Sequence, residues 1–408
     1  MSCRLTNSET QTVIPLEKKD KLAIFSLSVG HFINDAYSNF LGSLLPLLMV
    51  KLKLTIAEAG WLGALLVISS SFTQPIYGYL SDRHLQRVFA VFSPLITAVF
   101  MSCLGLASNY WTLASLLICG GIGIASFHPQ GAAMTAVASG HRKGLGMSIF
   151  VTSGTIGYSL GPIIITYAVA LLGLERSYLV MIPGIIAFSS LYFFVSPIEH
   201  SSATSGGASL RDSLGRFWRP LLLLYLLAVI RSAVQMCFVN FLPLYFSQKG
   251  LGAIWAGKIT SLFLFFGAIG GFSGGTLADK FGAKNVISFS MLFSTPLLLA
   301  FLLTQGISSY VFLVIGGIIL LFTLPVNVVM AQSLIPDRAS VVSALMMGVA
   351  WGMGGMAVPI IGKIADSAGL GKALMTVVFL PVLGFFLSFR LPKRKALQEG
   401  MVQTSQIA

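Results

Sequence analysis

Charged residues and Gly/Pro punctuation cut this chain into apolar blocks, most of them close to 20 residues or more, the length needed to cross roughly 30 Å of hydrocarbon as a helix. The first six blocks are Leu22–Val50, Gly60–Leu80, Val88–Ala107, Tyr110–Ala136, Gly144–Leu172 and Ser177–Val195. A second six runs Leu221–Phe246, Ile254–Leu277, Val286–Leu303, Tyr310–Ala331, Val341–Ile364 and Ala373–Leu391. Between the sets lies the one long polar interruption, from Pro197 to Pro220, with the Ser/Gly-rich run Ser201–Ser209 followed by Arg211, Arg216 and Arg219. The pattern predicts an all-α membrane protein of twelve transmembrane helices: a tail over 1–21, a six-helix repeat over 22–196, a linker over 197–219, a second six-helix repeat over 220–391 and a tail over 392–408.

Composition sharpens that picture. With 55% hydrophobic and only 10% charged residues in 408, against about 25% charged in a soluble domain, a water-soluble enzyme is excluded. The net charge of +13 would suit a nucleic-acid partner, but the basic residues sit in short clusters between apolar blocks and form no continuous face, so no nucleic acid is expected. They read instead as topology. With the N-terminus inside, eighteen Lys and Arg fall on the inner side and seven on the outer, which places both termini in the cytoplasm. The remaining one, Arg231, lies within a span. Met1–Lys21 is polar and holds no signal-peptide core, so insertion is expected to start from the first span. Cys3, Cys103, Cys119 and Cys237 form no CxxC or Cys/His spacing, and no disulfide or zinc site is expected. Compact loops point to a bacterial cytoplasmic (inner) membrane, with the lipid bilayer as surroundings and a monomer sufficing.

The two sets repeat each other. A shift of 197 residues carries Pro46 onto Pro243, Gly60 onto Gly257, Gly78 onto Gly275, Asp82 onto Asp279, Gly157 onto Gly354 and Pro162 onto Pro359 without a gap. Two halves in the same orientation are the internal symmetry of alternating-access transport.

The loop after the second span reads Gly78-Tyr-Leu-Ser-Asp82-Arg83-His-Leu-Gln-Arg87 and its counterpart Gly275-Thr-Leu-Ala-Asp279-Lys280-Phe-Gly-Ala-Lys284. This doubled motif resembles the loop signature of the major facilitator superfamily, although Leu85 stands where a glycine is usual. A carboxylate at a helix end can accept bonds from the opposite half and lock one conformation. In the fifth span Gly154, Gly157, Gly161 and Pro162 resemble the glycine-proline motif of proton-driven exporters in that superfamily, and close helix packing is the alternative. Gly348 to Pro359, with Gly354, occupies the equivalent place in the eleventh span.

Few ionisable groups lie inside the apolar blocks, and each costs about 2.5–3.5 kcal/mol at a helix centre unless it faces a cavity or partner. They are His31, Asp35 and Arg231 near mid-span, with Asn34 beside them and His128-Pro129-Gln130 in the fourth span. The segments His31-x-x-Asn34-Asp35, Phe127-His128-Pro129, Ser159-Leu160-Gly161-Pro162 and Gly352-Met353-Gly354-Gly355 together resemble the fosmidomycin resistance protein branch, over roughly residues 22–391. That resemblance implies an inner-membrane exporter acting on a phosphonate antibiotic or on other drugs and metabolites. A glutamate is common there where this chain has Gln130, which shifts any proton-carrying role to Asp35, His31 and His128. Asn34, Asp35, Arg231, His128 and Gln130 are the expected substrate contacts, with Arg231 supplying a fork of donors for phosphonate, phosphate or carboxylate. Asp35 is expected to be balanced alternately by Arg231, substrate or a proton, and a permanent Asp35–Arg231 ion pair is the structural alternative. Lys363 and Asp366, near the outer end of the eleventh span, read as interfacial charges without a transport role.

The leading function is a proton-coupled exporter (antiporter) of a small anionic or zwitterionic compound or drug, driven by the proton gradient with no cofactor and no metal. The alternatives are a symporter importing an organic anion or siderophore-like metabolite, and a receptor that binds without transport. No catalytic set is expected: His-Glu-x-x-His and paired intramembrane aspartates are missing.

Overall fold

A computed structural model describes residues 18–80, 86–140, 143–196, 217–335, 342 and 344–392, and among these there is helix and no strand. Among the described residues eleven helical runs are long and apolar enough to cross a membrane, so the chain is a multi-pass membrane protein. In the first half the elements are α1 (Lys18–Ser38), α2 (Phe40–Leu52), α3 (Ile56–Val67), α4 (Gln74–Leu80), α5 (Gln86–Ser102), α6 (Tyr110–Ala138), α7 (Lys143–Leu172) and α8 (Ile182–Phe194). The second half holds α9 (Trp218–Gln248), α10 (Ala253–Phe281), α11 (Ala283–Leu303), α12 (Gly306–Leu321), α13 (Thr323–Leu334), α14 (Ala350–Gly355), α15 (Ala357–Ala368), α16 (Leu370–Val378) and α17 (Leu380–Ser388). α3 and α4 are joined into one span by a π-helical turn, Ile68–Phe72, and α14 continues from another, Ala344–Val349. The linker residues 197–216 lie outside the described residues, as do Asp82 and Arg83 of the first loop motif.

The first span is broken where the sequence pattern runs on. α1 stops at Ser38, whose hydroxyl donates to the Asp35 carbonyl, and Asn39 donates its amide to the Tyr158 carbonyl, 2.9 Å away. Side chains have taken over main-chain carbonyls, and the helix restarts at Phe40. The second span begins earlier than the apolar block suggests, at Ile56, because Thr55 and Glu58 form a reciprocal capping box ahead of the first apolar turn.

We call the end of the bundle where α1 begins and α8 and α17 end the termini end, and the opposite end the far end. The marked glycines and prolines meet in two seams between the halves. A Cβ built on Gly60 would stand 2.8 Å from Pro359 Cα, and one on Gly257 would stand 2.8 Å from the Pro162 carbonyl oxygen. The repeat shift exchanges these two contacts, so a pseudo-two-fold axis relates the halves and explains why those residues recur together. Within the first half, Gly157 and Gly161 let α7 rest on the Phe32 and Ala36 carbonyls of α1, where an added Cβ would find no room. Gly354 lets α14 reach Ser232 and Ala233 of α9 in the same way.

These seams are tight enough to test. Gly60→Ala and Gly257→Ala are each expected to destabilise the purified protein by about 1–3 kcal/mol through overpacking, seen as a lowered melting temperature. Gly271→Ala, where the nearest atom is the Leu321 carbonyl at 3.8 Å, is expected to leave the melting temperature unchanged or raise it.

Candidate functional site

Asp35 lies near the middle of the first span, one helical turn after His31, so the 3.6-residue period puts both on one face of α1. His31 Nε2 is 3.3 Å from Asp35 Oδ2, and His128 Nε2, from α6, is 3.4 Å from Oδ1. These three residues, from two spans, therefore form one cluster. Their side chains are 8%, 15% and 28% exposed for His31, Asp35 and His128, so the carboxylate has little water to pair with.

The surroundings fix which nitrogen of His31 can act. Its Nδ1 is 2.7 Å from the Phe150 carbonyl, an acceptor that has no hydrogen, so Nδ1 carries a proton. Nε2 then faces the carboxylate with either a second proton or a lone pair. A lone pair against a carboxylate would repel, so the 3.3 Å contact is attractive only with one proton held between the two groups. His128 needs no extra proton for its own contact, because its neutral Nε2–H tautomer can donate to Oδ1. The His31 ring stacks on Phe150 at 4.1 Å between centroids and meets His128 edge-on at 5.2 Å. Gly154 leaves the space the ring occupies, since a Cβ there would collide with His31 Cε1. The fifth-span glycines thus serve the titratable cluster as well as helix approach. The three ligand atoms lie within 4.8 Å of one another, compact enough to share one small cation, and that compactness would also admit a metal ion.

Arg231 stands in the other half, on α9, and is 2% exposed. It makes no ion pair with Asp35. Its Nη1 donates to Gln235 Oε1 at 2.8 Å, one turn along the helix, and the guanidinium lies over the Trp351 ring, 5.4 Å from its centroid. The buried Nε has no partner among the described residues. Trp351 meets Tyr158 edge-on at 6.1 Å, and Tyr158, on α7, is in electrostatic range of both Asp35 and Arg231. The acidic site of one half and the basic site of the other are therefore linked by an aromatic pair with one ring from each half.

Other expected contacts are placed differently. Asn34 is fully buried and its Oδ1 accepts from Thr97 of α5 at 2.8 Å, so it points into its own half, away from Arg231. Gln130, 1% exposed, donates to the Tyr77 carbonyl at 3.0 Å and ties α6 to α4. Gly78 lies in α4, and Asp279 and Lys280 are exposed at the termini end of α10. A Cβ on Gly275 would meet nothing within 4 Å.

One residue that sequence reasoning set aside proves to join the halves. Asp366, at the far end of α15, accepts hydrogen bonds from the backbone N–H groups of Ile56 and Ala57, both at 2.8 Å. The capping box that marks the start of α3 was the available signal, since such a start leaves further N–H groups open to a carboxylate.

The comparisons with known proteins agree with this architecture. The family model described as Major Facilitator Superfamily matches residues 27–359. The chain is 30% identical to the "Uncharacterized MFS-type transporter YfnC" of Bacillus subtilis, over 91% of this chain and 93% of that protein. It is also 30% identical to the fosmidomycin resistance protein of Escherichia coli, over 89% of this chain and 91% of that one. Among solved structures, a bacterial homologue of the human lysosomal transporter Spinster, inward-facing and unoccupied, superposes with a TM-score of 0.80 over 91% of this chain and 97% of that one. The nucleoside transporter NupG superposes with a TM-score of 0.73 over 92% of this chain and 99% of that one. At 15% and 13% identity these two likenesses are of fold alone.

Proposed function

The chain belongs to the Major Facilitator Superfamily, and from that premise we propose that this transporter is a proton-coupled exporter of a small anionic or zwitterionic compound, working by alternating access in the cytoplasmic membrane. The far end of the bundle faces outward in this reading, because the basic residues gather at the termini end. The observation that carries the proposal is the largely buried His31–Asp35–His128 cluster, whose central contact needs one proton, set in the half opposite a buried arginine that has no carboxylate partner among the described residues.

In this cycle a proton from outside occupies the His31–Asp35 contact, and its release to the cytoplasm is exchanged for substrate carried out. Arg231 holds the anionic group of the substrate. Tyr158 and Trp351 link the two charges, so a bound ligand and the proton site can sense one another electrostatically. The driving force suffices: one charge moving inward is worth about 2.3 kcal/mol per 100 mV, more than a tenfold concentration ratio before any pH gradient is added. Export is favoured over import by the fifth-span glycine-proline motif and by relatives named for fosmidomycin and multidrug resistance.

The test is purified protein in proteoliposomes under an imposed pH gradient, with phosphonates, organic anions and cationic drugs offered in turn. Proton flux triggered by an anionic or zwitterionic compound is the expected result. Labelled compound that binds at protein stoichiometry without accumulating would support the receptor reading instead. Accumulation along the proton gradient, in the same direction as the protons, would support the importer.

A further inference from the structure

We infer that Asp366 is a conformational latch, holding the far ends of the two halves together by capping a helix that belongs to the opposite half. The inference is independent of the substrate and of the coupling ion.

The N-terminus of α3 has several backbone donors to satisfy, and they are divided between two sources. Thr55 and Glu58 serve the local ones: Glu58 N–H donates to Thr55 Oγ1 at 3.1 Å, Thr55 N–H donates to Glu58 Oε2 at 2.8 Å, and Ala59 N–H donates to the Thr55 carbonyl at 3.1 Å. The Ile56 and Ala57 N–H groups go to the two carboxylate oxygens of Asp366, one each. This division makes the contact reversible. Because the capping box is made within the first half, α3 keeps its start when Asp366 leaves, and water can take over the two exposed N–H groups. A carboxylate at a helix N-terminus also gains from the positive end of the helix dipole.

The seam between α3–α4 and α14–α15 shows that closure is confined to the latch end. At Gly362 an added Cβ would stand 2.6 Å from the Ile56 carbonyl oxygen, so backbone rests on backbone. At Gly355 and Gly352 it would meet the Val67 side chain at 2.6 Å and the Phe72 ring at 2.8 Å, so side chains fill the gap. At Gly348, nearest the termini end, no atom is closer than Gln74 Oε1 at 3.8 Å. The spans diverge away from Asp366, and both π-helical turns lie in the diverging part. Opening at the far end must separate Asp366 from Ile56 and Ala57, so the latch sets part of the free energy between the two states.

The experiment reads both ends of the seam without substrate. In a background with the native cysteines replaced, Asn240→Cys reports the far end, where Asn240 Oδ1 lies against Gly63, and Gly348→Cys reports the termini end. Labelling with a small maleimide is compared in Asp366, Asp366→Asn and Asp366→Ala proteins. Asp366→Ala is expected to raise labelling at 240 by about 1.4-fold to fivefold, the range of an exposed charged contact, and to lower it at 348. Asp366→Asn, with one acceptor oxygen left, should fall between. Unchanged labelling at both positions would overturn the latch, and so would a rise at both, which would show general loosening instead of a shift between states.

Discussion

Asp35→Asn is expected to reduce substrate-triggered proton flux to the level of empty liposomes while leaving the protein folded and able to bind its substrate. The side chain keeps its shape but loses the exchangeable proton. His31 then faces an amide that can donate from Nδ2 to a neutral Nε2, so a hydrogen bond survives in the same place. With the carboxylate gone His31 can lose its second proton, so no buried charge is left without its partner, the case in which removing one member of a pair destabilises. The melting temperature should therefore stay level or rise, and flux and stability separate. Full coupled flux in the variant would show that the proton is carried elsewhere. His128→Gln is the companion: it keeps a donor toward Oδ1 and should retain part of the flux, because the tautomer argument assigns the shared proton to His31 and Asp35.

Much of this architecture was legible in the sequence. Block length gave the spans, and the shift of 197 paired Gly60 with Gly257 and Pro162 with Pro359, which the structure turns into two symmetric seams. The i, i+4 spacing of His31 and Asp35 was equally readable, since periodicity alone puts them on one face. What failed to show was rotation. Whether Asn34 points toward Arg231 or toward Thr97 depends on how α1 is turned about its axis, and that is set by Gly154, Gly157 and Gly161 pressing α7 onto it. The pairing of opposite charges suggested Asp35 with Arg231, whereas two histidines of the same half reach the carboxylate first. The break at Asn39 was hidden because it falls inside one long apolar block and a cause, a bond to Tyr158, is 119 residues away. The role of Asp366 was hidden for the same reason: an isolated acid near an interface looks solvated until its distant partners are known.

Arg231 carries the other large expected effect. A guanidinium that is 2% exposed, with Nε unpartnered and only a neutral amide on Nη1, has given up much of its hydration without a carboxylate in return. An anionic ligand supplies that missing partner, and the fork accepts two oxygens of one carboxylate or phosphonate at once. Arg231→Ala should therefore cost about 2–5 kcal/mol of anion binding, more than tenfold in Kd, as found when one member of a buried charged pair is removed. Arg231→Met separates that effect from packing, since it fills much of the volume over Trp351 without charge or donors. It is expected to fold at least as stably as the wild type and to bind the anion as poorly as the alanine variant. Arg231→Lys keeps a cation but not the planar fork and should lie between. Titrating an organic phosphonate into the four purified proteins decides the matter. Wild-type affinity in Arg231→Met would remove the arginine from substrate recognition, and with it the argument that the cargo is an anion.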